Sequence, residues 1–311
     1  PVRTDIKKFG NITKFFSLNN GRVDFLKTKR YYNAYNHYLK LWFKENLKDC
    51  DYDFFISDVC PEAFELGRRL EIPCFGIGHF TWDWFFSQSI PAVVNRSILI
   101  KWKKFQATSK NFFFPPFTPG LILNNYKKST KVNFILSHKI KKYQNTLLKK
   151  NKKIKILFLD SGDKIVTPSL KKIIKKNRYN NNFLLMHTEN MGQFKNTFSI
   201  PKNEFLGDYI PHSDIIIGRA GFNTITEILY FNKPAIFLTS DNNPEINWNL
   251  SQMIALNLAH SLDIHYLETN FEVIINDYKN FHISEKKKYI RKQKFKFNGA
   301  NQIAKEILKK I

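Results

Sequence analysis

The second half of the chain alternates short, continuously apolar runs with segments of helical spacing. Because each apolar run is short and bounded by turn residues, it predicts a buried strand. The predicted strands cover residues 155–160, 183–186, 214–217 and 234–238, and the predicted helices cover 168–176, 223–231 and 246–256. Strands that alternate with helices in this way are typical of a parallel sheet covered on both faces. Ligands bind such sheets at the carboxyl ends of the strands.

The first half shows the same alternation of predicted strands and helices but has fewer strands. Its predicted strands cover 53–57, 73–77 and 121–123, and its predicted helices cover 31–48 and 61–70, with a further segment at 79–86. This is too few strands for a complete doubly wound domain. Residue 1 is Pro rather than Met. We therefore expect the first strand–helix–strand units to lie upstream of Pro1.

The length of 311 residues suits two domains better than one. The Lys-rich stretch 139–153 is the natural linker between them. The predicted fold class is α/β, and we expect an incomplete Rossmann-like domain at 1–148, a second Rossmann-like domain at 149–285 and Lys-rich C-terminal helices at 286–311.

The amino-acid composition gives the chain a large positive charge. The chain is 43% hydrophobic and 15% aromatic, which supports packed cores, and its 50 Lys+Arg against 26 Asp+Glu give a net charge of +24. Such a charge favours an anionic partner: nucleic acid, an acidic membrane surface or a phosphorylated substrate. The lysines are spread along the chain, so a compositional bias toward Lys and Asn is the plainer interpretation, and a nucleic-acid partner is not expected.

The cysteines at 50, 60 and 74 contain no C-x-x-C pair, which argues against a disulfide framework or a zinc site. Reduced thiols in a cytoplasmic protein are the expectation. No apolar run approaches the ~20 residues needed to span a bilayer, and no signal peptide is visible. The aromatic segment 112–117, with its nearby lysines, is a candidate for peripheral contact with the inner face of the membrane.

The most informative segment is 218–227, which reads Gly-Arg-Ala-Gly-Phe-Asn-Thr-Ile-Thr-Glu. It follows an apolar predicted strand and opens a predicted helix. Gly218 and Gly221 let the backbone turn and approach a ligand closely. Asn223 and Thr224 stand where a helix begins, and there the free N–H groups and the helix dipole favour an anion such as diphosphate.

Two charged residues complete this segment. Arg219 can place a cation beside the bound anion. Glu227 lies one helical turn after Asn223 on the same face, where a carboxylate can accept both hydroxyls of a ribose. The alternative is an Asn/Thr helix cap followed by an ordinary solvent-facing Glu. The spacing alone does not separate the two interpretations.

The segment resembles the donor-binding segment of GT-B glycosyltransferases. It is similar to that of glycosyltransferase family 28, the peptidoglycan lipid-linked N-acetylglucosaminyltransferases, and more loosely to that of plant and microbial UDP-glycosyltransferases. The resemblance implies two Rossmann-like domains that face each other across a cleft, the first on the acceptor side and the second binding the donor. It also implies a nucleotide-diphosphate sugar donor, UDP-sugar being favoured, bound without a metal or cofactor. Its diphosphate would lie at Arg219, Gly221, Asn223 and Thr224, and its ribose at Glu227.

Two departures from the family pattern affect the sugar site. Ile246 stands where the family has a Gln that touches the donor sugar, which leaves Glu245 and Asn249 as candidate sugar contacts. The family's glycine-rich loop is reduced to Ser-Gly-Asp at 161–163, where Ser161 and Gly162 are candidate phosphate contacts.

The first half resembles a narrower group. The motifs Ser-Asp-Val-Cys-Pro at 57–61, Gly-Arg-Arg at 67–69 and His-Phe-Thr-Trp-Asp-Trp at 79–84 are similar to motifs of the glycosyltransferase-like domain of plant L-arabinokinases and related bacterial glycosyltransferases. These motifs carry no information about the substrate.

Transfer of a sugar to a hydroxyl requires a general base. The candidates are Asp83 and His79, because both follow a predicted strand end. Asp83 could instead cap a helix or pair with a Lys, and His79 could be a buried, backbone-bonded imidazole. Many related families carry their base on a loop that here would lie upstream of Pro1. The neighbouring aromatic side chains form either an acceptor platform or, more commonly, core: Trp82, Trp84, Phe85 and Phe86.

The resulting hypothesis is a metal-independent glycosyltransferase of the hexosyltransferase type. Its acceptor would be a glycan such as a cell-envelope glycan, a lipid-linked saccharide or a small molecule. The alternatives are a non-hydrolysing nucleotide-sugar epimerase, a nucleotide-sugar-binding module without catalysis, and a basic nucleic-acid binder with salt-dependent affinity.

Overall fold

A computed structural model shows an α/β chain that divides into two compact units, Pro1–Val132 with Asn301–Ile311 (unit 1) and Asn133–Ala300 (unit 2). The structure describes residues 17–19, 22–47, 52–89, 96–126, 128–136, 148, 151–159, 167–177, 180, 182–188, 194, 196–201, 203–239 and 243–311.

Unit 1 is built around a small parallel sheet. Its elements are β1 (Ser17–Asn19), β2 (Arg22–Asp24), α1 (Phe25–Asn33), α2 (Tyr35–Asn46), β3 (Phe55–Asp58), α3 (Pro61–Arg69), β4 (Cys74–Ile77), α4 (Trp82–Ser89), α5 (Arg96–Gln106), β5 (Asn111–Phe114), α6 (Gly120–Asn125) and β6 (Ser129–Lys131). Four strands pair in parallel in the order β3-β4-β5-β6, and β1 and β2 form a separate antiparallel pair.

One strand prediction in unit 1 is wrong. Residues 121–123 lie in the short helix α6, and the strand that follows β4 in the sheet is β5. β5 has neighbours on both sides and buries all three of its phenylalanines to 1% exposure or less. The candidate membrane segment 112–117 therefore places Phe112, Phe113 and Phe114 in the core, and this membrane prediction is wrong for the three of them.

The helices of unit 1 enclose a buried polar group. Glu62, in the first turn of α3, is completely buried. The Tyr35 hydroxyl donates to Glu62 Oε1, and the indole Nε1–H of Trp102 donates to the Tyr35 oxygen over 2.8 Å. This chain of hydrogen bonds ties α2, α3 and α5 together, because a buried carboxylate is stable only with donors around it.

Unit 2 contains a larger parallel sheet. Its elements are β7 (Ile154–Leu159), α7 (Thr167–Asn177), β8 (Phe183–His187), β9 (Thr197–Ser199), a 3₁₀ helix (Leu206–His212), β10 (Ile215–Gly218), α8 (Phe222–Tyr230), β11 (Ala235–Leu238), α9 (Pro244–Ala255), β12 (Ala259–Leu262), α10 (Ile264–Asp277), a π-helical turn (Tyr278–His282) and α11 (Ile283–Lys292). A last helix, α12 (Gly299–Leu308), continues into the residues of unit 1. The predicted strands and helices of this half are confirmed within one or two residues at each end.

The six strands of unit 2 run in the order β12-β11-β10-β7-β8-β9, all in parallel. The chain builds outward from β7 in one direction through β8 and β9. It then returns to the other side of β7 with β10 and continues outward to β12. The strand order therefore reverses between β7 and β10, and ligands of open α/β sheets bind at this reversal, outside the carboxyl ends of the strands. The buried faces of the strands and of α7 and α10 supply one apolar core.

Candidate functional site

A pocket of about 280 Å³ opens where β7 and β10 end, at the reversal of strand order in unit 2. The residues that line it come from the end of β7, the 3₁₀ helix, the turn after β10, α8 and α9: Leu159, Phe205, Leu206, Gly207, Arg219, Gly221, Asn223, Thr224, Glu227 and Ile246. The sequence segment 218–227 and the sheet topology therefore point to the same place.

Helix α8 begins at this pocket. Its N-cap is Gly221, in an extended conformation, and no side chain caps the first turn. Asn223 and Thr224 lie in that first turn and line the pocket. The amide dipoles of the helix therefore give the pocket a partial positive charge where Arg219, only 7% exposed, adds a full one. The pocket is suited to an anion.

The two glycines of the segment have different roles. A Cβ on Gly218 would lie 2.8 Å from the backbone oxygen of Leu159 and 3.0 Å from its Cβ, so this glycine lets β10 lie against β7. A Cβ on Gly221 would meet only Thr224 Oγ1 at 3.9 Å and Ile246 Cδ1 at 4.0 Å, which are ordinary contacts. The fold does not require a glycine at 221, and the missing side chain there leaves room in the pocket instead.

Glu227 lies one turn into α8, lines the pocket and is 6% exposed. Its Oε2 lies 3.0 Å from the position that a Cβ on Gly207 would occupy. A buried carboxylate directed at a pocket is expensive to keep unless it has donors to bind. The structure thus places Glu227 as the pocket's acidic group and excludes the solvent-facing alternative.

The residues Phe205, Leu206 and Gly207 were not singled out in the sequence. They precede β10 and form one wall of the pocket, with Phe205 44% exposed at its rim. Lys233 anchors the far end of the 3₁₀ helix that follows this wall, since its Nζ donates to the backbone oxygens of Pro211 at 2.7 Å and Ser213 at 2.8 Å. Burial lowers the pKa of Lys233 to about 8. The only sequence signal was the short apolar patch just ahead of a predicted strand, which has no distinctive pattern.

The remaining donor-site candidates lie elsewhere. Asn249 is completely buried in α9, and its Nδ2 donates to the backbone oxygen of Ala220 over 3.1 Å, so it holds the turn that carries Arg219 and Gly221. Glu245 lies in the first turn of α9 and is not among the pocket-lining residues. Ser161 and Gly162 lie outside the described residues.

The base candidates of unit 1 lie near the carboxyl ends of its strands. His79 follows β4, is 9% exposed and packs edge-on against Phe80 with ring centroids 5.1 Å apart. Asp83 lies in the first turn of α4, and burial raises its pKa. Its Oδ1 is buried and accepts no hydrogen bond. A carboxylate with a raised pKa and an unused oxygen has the properties of a general base.

The same edge of unit 1 carries backbone strain. Val59, directly after β3, has φ 48°, a left-handed conformation that is rare for a β-branched residue. Its side chain uses the space left by a glycine on the next strand end, because a Cβ on Gly78 would lie 2.2 Å from Val59 Cγ1. Strain of this kind clusters at functional sites.

The aromatic run beside Asp83 is mostly core. Trp84, Phe85 and Phe86 are each 8% exposed or less, and Trp82 packs against Phe85 with ring centroids 5.2 Å apart. The core alternative for this run is therefore the better description of these side chains.

Residues 166–307 match the model of the glycosyltransferase family 28 C-terminal domain. This region includes α7 through most of α12 and contains every pocket-lining residue except Leu159. Comparison with curated protein sequences yields no match.

Solved structures of glycosyltransferases share the fold. The glycotransferase of kitacinnamycin superposes with a TM-score of 0.62 at 12% identity over 95% of this chain and 85% of its own. CalG4, the calicheamicin glycosyltransferase, superposes with a TM-score of 0.62 at 12% identity, over 93% of this chain and 81% of its own. UGT2 from Phytolacca americana, complexed with UDP-2fluoro-glucose and pterostilbene, superposes with a TM-score of 0.59 at 11% identity, over 88% of this chain and 77% of its own. The fold is the α/β fold of GT-B glycosyltransferases, with two Rossmann-like domains.

The matched domain and the fold together support a glycosyltransferase. The specific relationship to peptidoglycan or arabinokinase enzymes is a finer prediction that these comparisons leave open. Within the described residues, no helix is long and apolar enough to cross a membrane, and no group of three metal-ligating side chains converges.

Proposed function

We propose that the unit 2 pocket binds the nucleotide-diphosphate part of a sugar donor. The observation that carries this proposal is the convergence of an uncapped helix N-terminus, Arg219 and the buried Glu227 on one pocket at the reversal of strand order. The diphosphate lies against the first turn of α8, beside Asn223 and Thr224, where the helix dipole and Arg219 neutralise it. The Glu227 carboxylate, which lines the same pocket one turn further along α8, accepts the ribose hydroxyls.

The wall formed by Phe205, Leu206 and Gly207 is the proposed base site. An exposed aromatic ring such as that of Phe205 offers a flat surface for a nucleobase. The pocket volume of about 280 Å³ lies at the low end of ligand pockets, typically ~300–1,000 Å³, so we assign it to the nucleotide and place the sugar beyond its rim. The first-turn position of Glu245 in α9 keeps it a candidate sugar contact, whereas Asn249 is reassigned as a residue that positions the Ala220 turn.

The proposed transfer has two requirements: stabilisation of the departing diphosphate and removal of the proton from the acceptor hydroxyl. As the bond between the anomeric carbon and the diphosphate breaks, negative charge grows on the diphosphate oxygens. Arg219 and the amides of α8 stabilise that charge without requiring a metal ion. A base removes the proton from the acceptor hydroxyl as its oxygen attacks the anomeric carbon. We assign this role to Asp83, with His79 as the alternative.

UDP is the favoured nucleotide because of the resemblance of segment 218–227 to UDP-dependent families. Structures with the same fold have been solved with UDP-2fluoro-glucose and, in the spinosyn rhamnosyltransferase SpnG, with thymidine diphosphate. The closer likeness to peptidoglycan and arabinokinase-type enzymes belongs to this proposal as well, on the sequence motifs. A cell-envelope glycan acceptor and a cytoplasmic location are proposed on the family resemblance alone.

The proposal is tested by calorimetric titration with UDP, UDP-N-acetylglucosamine, UDP-glucose, GDP-mannose and TDP. We expect one uridine or thymidine nucleotide to bind more tightly than the guanosine nucleotide. A folded protein that binds none of them would refute the donor-site assignment. Incubating the bound sugar nucleotide without any acceptor then separates the alternatives: an epimerised product identifies an epimerase, and unchanged donor with no transfer to any acceptor tested identifies a binding module.

A further inference from the structure

A second pocket, in unit 1, has a different chemical character. It has a volume of about 590 Å³ and lies between α2, the end of α3 and α5. We call it the basic pocket. It is lined by Asn36, Leu39, Lys40, Phe43, Lys44, Leu47, Arg69 and Lys101. Nothing in the proposed reaction uses these residues.

Four of the eight lining residues are cations, and no acidic side chain from the described part of the chain is among them. Lys40 and Lys44 stand one turn apart on α2 and are exposed, and neither has an ion-pair partner within the described part of the chain. Lys101 reaches across from α5, and its Nζ donates to Asn36 Oδ1. Three lysines from two helices thus line one opening.

Arg69 is held in a fixed position at the same opening. Its guanidinium carbon lies 4.0 Å from the centroid of the Phe43 ring, and its Nε donates to Glu65 Oε1 over 2.9 Å. Glu65 also receives Nε and Nη2 of Arg68 at 2.7 and 2.8 Å, and the Arg68 hydrogen bond lowers the pKa of Glu65. Because Glu65 is shared by two guanidinium groups, it only partly neutralises the charge of Arg69.

The basic pocket is separate from the edge of unit 1 where the base candidates lie. Helix α3 starts at Pro61, just after the carboxyl end of β3, and runs back to Arg69. A nine-residue helix is roughly 13 Å long. The pocket therefore lies toward the amino ends of the strands, opposite Asp58 and His79, so an anion bound there would take no part in the chemistry.

We propose that the basic pocket is a second binding site, for a phosphate-bearing ligand. Ammonium groups and a fixed guanidinium are the groups that proteins use for phosphate, and phosphate carries the charge density that several converging cations require. The ligand has two sources, the headgroup of an anionic phospholipid and a soluble phosphorylated molecule. In the first case the pocket would hold the protein on a membrane surface. The proposal does not rest on the donor-site assignment.

The test uses the full chain with four probes: vesicles of phosphatidylglycerol mixed with phosphatidylcholine, vesicles of phosphatidylcholine alone, soluble dihexanoylphosphatidic acid, and a single-stranded oligonucleotide. The pocket variant carries Lys40→Ala, Lys44→Ala and Lys101→Ala. The matched control carries Lys104→Ala, Lys171→Ala and Lys175→Ala, which are helical lysines outside the basic pocket. Each set lowers the formal net charge from +24 by three, to +21.

We expect the wild type and the control to bind an anionic probe and the pocket variant to bind it on the order of 100-fold more weakly at low salt, since each lysine near an anionic surface contributes about a factor of five. Binding to the anionic vesicles alone identifies the lipid headgroup as the source. Saturable binding of dihexanoylphosphatidic acid without binding to the anionic vesicles identifies a phosphate group presented in solution rather than on a membrane.

Three results would overturn the proposal. The two triple variants could lose equal affinity, which would indicate diffuse attraction by the net charge. No anionic probe could bind the wild type. An oligonucleotide could bind in a manner that depends on the pocket while the phospholipid probes do not, which would make the site a nucleic-acid contact instead. Because all six substitutions are at helical lysines and Ala favours helix, a melting curve of each variant suffices to confirm folding.

Discussion

The carboxyl-end edges of the two sheets differ in how completely they are prepared for a ligand. The unit 2 edge holds a formed pocket in which a cation, a helix N-terminus and a carboxylate converge. The unit 1 edge holds a half-buried aspartate and a buried histidine among aromatic rings, next to a strained Val59. A diphosphate has fixed charge and geometry, so the groups that bind it recur as a pattern. A neutral hydroxyl acceptor imposes no such pattern.

Among the substitutions considered, we expect the greatest loss of kcat from replacing the general base at the unit 1 edge. If Asp83 is the base, Asp83→Asn lowers kcat by roughly 10²–10⁴ and leaves nucleotide affinity unchanged. Steady-state kinetics and calorimetry on the same preparation provide both values. The parallel variant His79→Gln should then be the milder of the two. A severe loss for His79→Gln with near-normal Asp83→Asn would assign the base to His79.

The same substitution has a second readout. Burial raises the pKa of Asp83 in the folded protein, so its ionisation at neutral pH opposes folding. The stability associated with this group is present below its unfolded pKa and is lost as pH rises through the folded value. Asp83→Asn should therefore melt at the same temperature as the wild type or higher at neutral pH, and near acidic pH the two should converge. A large drop in melting temperature would mean that Asp83 is structural.

Substitution of Gly218 and of Gly221 distinguishes a glycine that the fold requires from one that leaves room for a ligand. Gly218→Ala forces a Cβ to within 2.8 Å of a backbone oxygen, so it should destabilise the fold by about 1–3 kcal/mol. Gly221→Ala meets only ordinary contacts and should leave the melting temperature unchanged while it weakens nucleotide binding. Denaturant unfolding and calorimetry separate the two profiles. If Gly221→Ala binds nucleotide normally, the space at 221 is not part of the site.

A pH-dependent effect is expected for Lys233, at the far end of the 3₁₀ helix. Burial lowers its folded pKa to about 8 from the usual 10.5. Between these pH values the unfolded chain binds more protons, so the contribution of Lys233 to the free energy of unfolding rises with pH in that window. The free energy of unfolding of the wild type minus that of Lys233→Met should therefore rise by roughly 2–3 kcal/mol from pH 8 to pH 10.5, measured by denaturant unfolding. A constant difference would mean that its pKa is normal.

The sequence predicted unit 2 well for a physical reason. Four of its six strands are continuous apolar runs that end in glycine or polar turns, and both the strand ends and the segment 218–227 are local signals. The edge strands β9 and β12 were not predicted, because each contains polar residues. The role of Asn249 was not predictable, because its bond to Ala220 joins residues far apart in the chain. The wall at 205–207 was missed because its importance comes from packing against Glu227 rather than from any motif of its own.

Unit 1 was predicted less well because its apolar runs are ambiguous. Three apolar residues at 121–123 fit a strand or a helix equally, and Pro119 with Gly120 starts a helix there. The Phe residues of β5 precede two prolines and were predicted to contact a membrane, yet they form a strand with neighbours on both sides. Burial of Glu62 beneath Tyr35 likewise depends on contacts between distant helices.

The proposed function depends most on Glu227 binding the ribose of a nucleotide in the unit 2 pocket. The most direct measurement is calorimetric titration of the tightest-binding nucleotide into wild type, Glu227→Ala and Glu272→Ala, the last removing an exposed glutamate of α10 outside the pocket. If Glu227 binds the ribose, we expect a loss of about 1–3 kcal/mol in binding free energy for Glu227→Ala and no change for Glu272→Ala. Equal affinity of all three proteins would contradict it.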